Sequence, residues 1–358
     1  MNHQLMRYIL LMLTSAMLSL ALATQASETP DNECNPTVKI LLDTDPGGDD
    51  AFAMLWLQSL AKQCLVEIVG VTTATGNVDS KYTFANASKM LTLGGFDQVE
   101  VGRAVPLPPR HHCPEASHIH GVDGMGGLSD TLPPPKHDFE TAPHSDDMII
   151  KMLNDAPGEI MLVAIGPLTN LAAAEQKSPG ILAKAKEIVI MGGTFHYKGN
   201  TTSHAEFNIY CNPVAAPPVF SSRDDIVVLP LDVTHQIIFT DAHADAVVAV
   251  NPTSDIAEFV KALSEFMIST TVGYRQTEGV NGFLVHDAAT LAYLFYPETL
   301  LFRRAEVSVE TRGKFARGQT LIDSRHGAKT VANAWVALEV DQPNLLAILT
   351  EDFKVLVK

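Results

Sequence analysis

Four carboxylates, Asp43, Asp45, Asp49 and Asp50, crowd into the short stretch Asp43-Thr44-Asp45-Pro46-Gly47-Gly48-Asp49-Asp50. Two like charges about 5 Å apart repel by roughly 3 kcal/mol at an effective dielectric near 20. Several such pairs would offset much of a domain's marginal stability. The acids therefore either splay into water or gather around a cation, and hard carboxylate oxygens select Ca²⁺ or Mg²⁺. Capping a helix N-terminus accounts for one acid, at position 49 or 50, and leaves three without a reason.

The elements around the acids say where they sit. Val38 to Leu42 is an apolar run with Val and Ile, which reads as a buried strand, and Ala51 to Leu57 is strongly helical. The acids thus occupy a turn between a strand end and a helix start, where open α/β sheets place ligands. A second strand over 65–73 leads to Gly76-Asn77, and 80–93 reads as a helix. Further strands are expected at 158–165, 187–191 and 226–232, and helices at 145–154, about 254–272 and 341–353, with a β-rich stretch at 304–340. Strands alternating with helices at this spacing predict a single α/β domain: an open, mostly parallel, Rossmann-like central sheet with helices on both faces.

Composition narrows the function. The 358 residues carry a formal net charge of −16, which excludes a nucleic-acid partner bound through a basic face. Residues 1–26 combine Arg7, an apolar run from Tyr8 to Leu22 and small residues around Ala23 and Ala26. They read as a secretory signal peptide, followed by an N-terminal arm over 27–37 and the domain over 38–358. The expectation is an exported chain, periplasmic or secreted, with no membrane anchor after cleavage. Export would allow the four cysteines, Cys34, Cys64, Cys113 and Cys211, to oxidise; a Cys34–Cys64 bridge and free buried thiols are both open. Asn86-Ala-Ser88 and Asn200-Thr-Thr202 match the glycosylation pattern.

Three motifs together carry a resemblance. Asp43-Thr-Asp-Pro-Gly-Gly-Asp-Asp50 after a strand, Gly166-Pro-Leu-Thr-Asn-Leu-Ala172 after another, and Glu206-Phe-Asn-Ile209 following Met191-Gly-Gly193 resemble the inosine–uridine-type nucleoside hydrolases, from about Val38 to the C-terminus. The resemblance implies a nucleoside-hydrolase fold and hydrolysis of ribonucleosides to ribose and free base on a Ca²⁺-bound water, with Asp45 as general base. It implies Ca²⁺ held by Asp45, Asp50, Asp287 and the backbone carbonyl of Ile165, with Asp43 behind them orienting the ligands. Asp49, Glu206, Asn208 and Asn200 would hold the ribose, His120 would line the pocket near the base, and His286 would protonate the leaving base. A dimer or tetramer is also implied. Alternation in an extended segment would put Glu206 and Asn208 on one face. The remaining histidines of the loop, His111, His112 and His118, read as surface residues.

Two assignments stay two-sided. Asn77 reads equally as a turn residue or as a group beside the attacking water, and Tyr274 as a helix-surface aromatic or a contact to the base. Two other classes of function fit parts of the pattern. An exported binding protein would keep the calcium and ribose site without turnover. A haloacid-dehalogenase-type phosphatase shares a strand-end Asp-x-Asp, but Pro46-Gly47 stands where its Gly-Thr would follow.

Overall fold

The computed structural model describes residues 34, 36–107, 113–325 and 331–358. The expected signal peptide, most of the expected N-terminal arm, His111 and His112 lie outside the described residues. In chain order the strands are β1 (Val38–Thr44), β2 (Val66–Thr73), β3 (Val101–Gly102), β4 (Ile160–Ala164), β5 (Glu187–Met191) and β6 (Ile226–Leu229). They continue with β7 (Ile238–Thr240), β8 (Gly282–Leu284), β9 (Leu300–Ala305), β10 (Ser308–Val309), β11 (Thr320–Leu321) and β12 (Ala334–Val340). Eight of them form one sheet in the order β3-β2-β1-β4-β5-β6-β12-β9, parallel throughout except for the antiparallel edge strand β9. The expected open, mostly parallel α/β sheet is therefore present.

From β1 the chain runs outward to β2 and β3, then returns to lay β4 on the other side of β1. That reversal opens a crevice at the carboxyl ends of β1 and β4. Asp43 pairs with Thr72 of β2 on one side and Ala164 of β4 on the other, so the acid turn emerges at the reversal itself.

Alternation along the strands splits the core in two. Ile40, Leu42, Val163 and Ile165 pack on one face; Leu41, Leu162 and Ala164 pack on the other. The first face carries the helices Gly48–Lys62, Asp255–Gly273, Ala288–Phe295 and Gln342–Leu356, and the second carries Ser145–Asp155 and Thr169–Lys177. Helix Gly48–Lys62 is buried from Gly48 to Leu60. Phe52 lies edge-on to Phe239 and Phe283, each at 5.0 Å, and Trp56 stacks on Tyr296 while its Nε1 donates to Asp352. The helix that starts with the acids is thus clamped along its length.

Two expectations change here. Cys113 and Cys211 form a disulfide across 98 residues, a pairing that spacing did not reveal, and Cys34 and Cys64 are disulfide-bonded as well. Asn86 is fully buried, with its side chain bonded to Asp123 O and Ser129 Oγ, so it offers no glycosylation site. Among the described residues, no helix is long and apolar enough to cross a membrane. Phe52 sits at the meeting point of four aromatic rings, so truncating it leaves a large cavity. Phe52→Ala should cost about 3–5 kcal/mol, read as a lower urea midpoint at unchanged slope.

Candidate active site

The acid turn is built from opposing demands. Asp43, Asp45 and Asp50 are almost wholly buried, and Asp49 nearly so. Asp50 is the best served: Oδ1 accepts from Thr44 Oγ1 at 2.6 Å and from Asp45 N, and Oδ2 accepts from Gly47 N and Asn77 Nδ2. It stands at the third position of the helix and reaches back to the amide of Gly47, the reciprocal half of a capping box. Asp43 accepts from Thr72 Oγ1 and Asn170 Nδ2 through one oxygen, while its other oxygen has no partner. Asp45 Oδ2 accepts from Asn77 N at 2.7 Å, and its Oδ1 also has no partner.

Asp287 arrives from the far end of the chain. It follows β8 and opens helix Ala288–Phe295, and single carboxylate oxygens of Asp49, Asp50 and Asp287 lie within 4.8 Å of one another. Burial pushes Asp43 up to about 7 and, together with the charge of Asp50, Asp49 up to about 8. Burial raises Asp45 and Asp287 well above the ordinary carboxylate range, with neighbouring acids adding to it. Among the described residues, none of these acids pairs with a Lys or Arg. Buried oxygens without donors, in an all-oxygen set with no protein counter-charge, fit a hard divalent cation.

The opposite wall comes from the segment after β5. Here the expected extended strand is a helical turn, Phe207–Cys211, with Glu206 as its N-cap. The Glu206 carboxylate accepts from the amides of Asn208, Ile209 and Gly193, so three orphan N–H groups favour the turn over an extended run. Both side chains still reach the cavity. Asn208 donates its amide hydrogens to the carbonyls of Ile165 and Met191, while Asn200 Oδ1 accepts from Phe207 N. Burial raises Glu206 as well. Asn77 is more than a turn residue: its side-chain amide donates to Asp50 and to the carbonyl of Asp45, and it too lines the cavity.

Two imidazoles face the acids. His120 Nδ1 accepts from Gly48 N at 3.0 Å. A backbone N–H can only donate, so Nδ1 is bare and the ring hydrogen sits on Nε2. Burial lowers His120 to about 3 and His286 to about 4, which keeps both rings neutral at pH 7. His286 Nδ1 lies 2.8 Å from Thr234 Oγ1.

These groups enclose a cavity of about 270 Å³. Its walls bring together Asp49, Asp50, Asn77, His120, Ile165, Asn200, Glu206, Asn208, His286 and Asp287 from the expected set. Asp45 and Asp43 lie behind the lining, with Asp45 pressed between Gly76 and Gly166: a Cβ at either glycine would fall within 2.5 Å of its carboxylate. The tight three-acid cluster contains Asp49, placed by resemblance on the sugar, and does not contain Asp45. Tyr274 is 57% exposed and outside the lining; its ring meets His118 edge-on at 5.2 Å. His118, read as a surface residue, lines the cavity, as do Thr271 and Gln276. Their only signal in the sequence is proximity to His120 and Tyr274.

Known proteins resemble this chain in sequence and fold. A family model described as inosine-uridine preferring nucleoside hydrolase matches residues 40–347. The chain is 34% identical to a probable uridine nucleosidase 1 of Oryza sativa over 87% of its length and 95% of the relative. It is 32% identical to the inosine-uridine preferring nucleoside hydrolase of Crithidia fasciculata over 85% of its length and 93% of that protein. A solved purine-preferring ribonucleoside hydrolase from Gardnerella vaginalis superposes with a TM-score of 0.81 at 26% identity, covering 89% of this chain and 99% of that one.

The raised carboxylates make stability depend on pH in a definite direction. Asp43 and Asp49 keep protons up to about 7 and 8 in the folded chain, whereas unfolded aspartates release theirs near 3.8. Between those limits the folded state binds more protons, so stability falls as pH rises. Chelator-treated protein should therefore melt at a lower temperature at pH 8 than at pH 5. Saturating divalent cation should raise the melting temperature more at pH 8, where fewer protons need be displaced. Scanning calorimetry at the two pH values checks both; a cation effect equal at pH 5 and pH 8 contradicts the assignment.

Proposed function

The chain belongs to the inosine-uridine preferring nucleoside hydrolase family and hydrolyses ribonucleosides to ribose and a free base, and we propose that it does so with calcium as its cation and the residues of the acid turn in distinct roles. The observation that carries this reading is the convergence of Asp49, Asp50 and Asp287 from opposite ends of the chain, buried and without a protein counter-charge. Asp50 and Asp287 hold the ion, with Asp45 and the Ile165 carbonyl as its further oxygen ligands and Asp43 steadying β1 behind them. When bound, such a cation supplies Lewis acidity, making a water a better nucleophile near neutral pH and ordering sugar oxygens.

The chain's own groups do the rest. Asp45 takes the proton of the attacking water: its Oδ1 is unpartnered and open to accept it. Asn77 fixes the other oxygen of Asp45 and orients Asp50. Asp49, next to Asp50 on the cavity wall, accepts from ribose hydroxyls. Glu206, Asn208 and Asn200 grip the remaining sugar oxygens from across the cavity. His120, with its hydrogen on Nε2, and His286 stand on the base side as neutral hydrogen-bonding groups; His286 hydrogen-bonds to the departing base and delivers a full proton only from its imidazolium form, so its lowered pKa works against the leaving-group role expected of it. Tyr274 reaches the base only through His118, on which its ring rests.

A secreted or periplasmic location belongs to the same reading. It is supported by the leader-like composition of residues 1–26 and by four cysteines that are all disulfide-bonded. A dimer or tetramer is supported by Leu301 and Trp335, exposed on the last two strands of the sheet. A binding protein without turnover has less support, because the acids and both cavity imidazoles are in place.

Release of base from inosine and from uridine, followed spectroscopically with calcium present, tests the reading. Asp45→Asn should lower kcat by at least about a thousandfold and His286→Ala by about 10²–10⁴-fold, both with unchanged circular dichroism. Asp287→Ala should abolish calcium binding measured by calorimetry, a readout independent of turnover. Full activity in Asp45→Asn, or undiminished calcium affinity in Asp287→Ala, overturns the corresponding role.

A further inference from the structure

We infer that the Cys113–Cys211 disulfide is a positioning cross-link of the substrate cavity, tying its base-side wall to its ribose-side wall. The inference rests on the site assignment above. Cys211 is the last residue of the helical turn Phe207–Cys211, which Glu206 caps and on which Asn208 rides. Cys113 immediately precedes Pro114, Glu115 and Ala116, which line the cavity, and the short helix Ser117–His120 that carries His118 and His120. The bond joins two stretches 98 residues apart at the level where both enter the cavity wall.

The bond also spans a third element. Sγ of Cys113 lies 3.9 Å from the carbonyl oxygen of Gly76, and Sγ of Cys211 lies 3.8 Å from that of Thr75. That turn continues into Asn77, whose amides engage Asp45 and Asp50. Cys211 is fully buried. Cys113 to Ala116 belongs to no helix or strand among the described residues. Apart from the disulfide, the base-side wall is tied to this floor by Ala116 N donating to Asn77 O and by Gly48 N donating to His120. A segment without ladder bonds of its own holds its geometry only through such ties.

A cross-link needed only for folding would change stability and leave substrate affinity alone. A cross-link that sets the wall changes KM, because the contacts it positions bind ground state and transition state alike. In Cys113→Ala/Cys211→Ala, KM for uridine should rise about tenfold while kcat stays within about threefold. Amides of 116–120 and 207–211 should exchange faster with deuterium, whereas those of β1 and β4 should not. Cys34→Ser/Cys64→Ser is the control: Cys64 follows the end of helix Gly48–Lys62 remote from the acids, and its KM should match the parent's. If the alanine pair does not fold, Cys113→Val/Cys211→Ala refills the volume and is measured in its place. Unchanged KM with unchanged exchange, or failure of both pairs to fold, overturns the inference. A parent protein that cleaves no ribonucleoside overturns the site reading instead, and the exchange measurement then decides the cross-link alone.

Discussion

Everything in this molecule is arranged around keeping five aspartates out of water at the point where the sheet reverses direction. The protein offsets that cost with donors rather than with cations of its own. Asp50 receives four hydrogen bonds, Asp43 receives two from neighbouring elements, and Asp45 receives one backbone amide. The provision stops short of completion at Asp43 Oδ1 and Asp45 Oδ1. A buried oxygen left unpaired costs free energy that a purely structural site would have removed. At Asp45 the deficit is one that the proposed cation and its water would make good, whereas Asp43 lies behind them.

The same burial that raises the acids lowers the histidines. The lack of solvent disfavours charge on both kinds of group in one small cavity: the acids hold protons well above the usual carboxylate range and the imidazoles stay neutral. A ligand with a polyhydroxylated end and a heteroaromatic end finds complementary chemistry at both. Glu206 is intermediate: its carboxylate accepts from three backbone amides, two of them in the turn it caps, so one side chain shapes the wall and contributes to its polarity.

How much of this could be read from the chain follows from how local each signal is. The acid turn was legible because four like charges within one short stretch have no inexpensive structural explanation. The mostly parallel sheet around it was legible in kind, from alternating apolar runs and helical stretches. Glu206-Phe-Asn208 misled because two polar residues spaced by two fit an extended strand as well as a capped turn, and one of the three donors to Glu206, Gly193 N, comes from another part of the chain. His118 looked like surface because a histidine carries no periodic signature, and its place depends on helix Asp255–Gly273, which presents Tyr274 beside it. The Cys113–Cys211 pairing is a property of the folded arrangement and has no local trace.

Asp287 closes the acid cluster from a position more than two hundred residues beyond Asp50. Until β8 and helix Ala288–Phe295 dock, the N-terminal acids face a partner that has not yet been placed. Closing so long a loop is among the slower events a chain undergoes, because its entropy is lost before any contact repays it. The ion site proposed above is therefore complete only when the two ends of the polypeptide meet, and a C-terminally shortened chain would keep its acidic turn while losing the group that completes the cage.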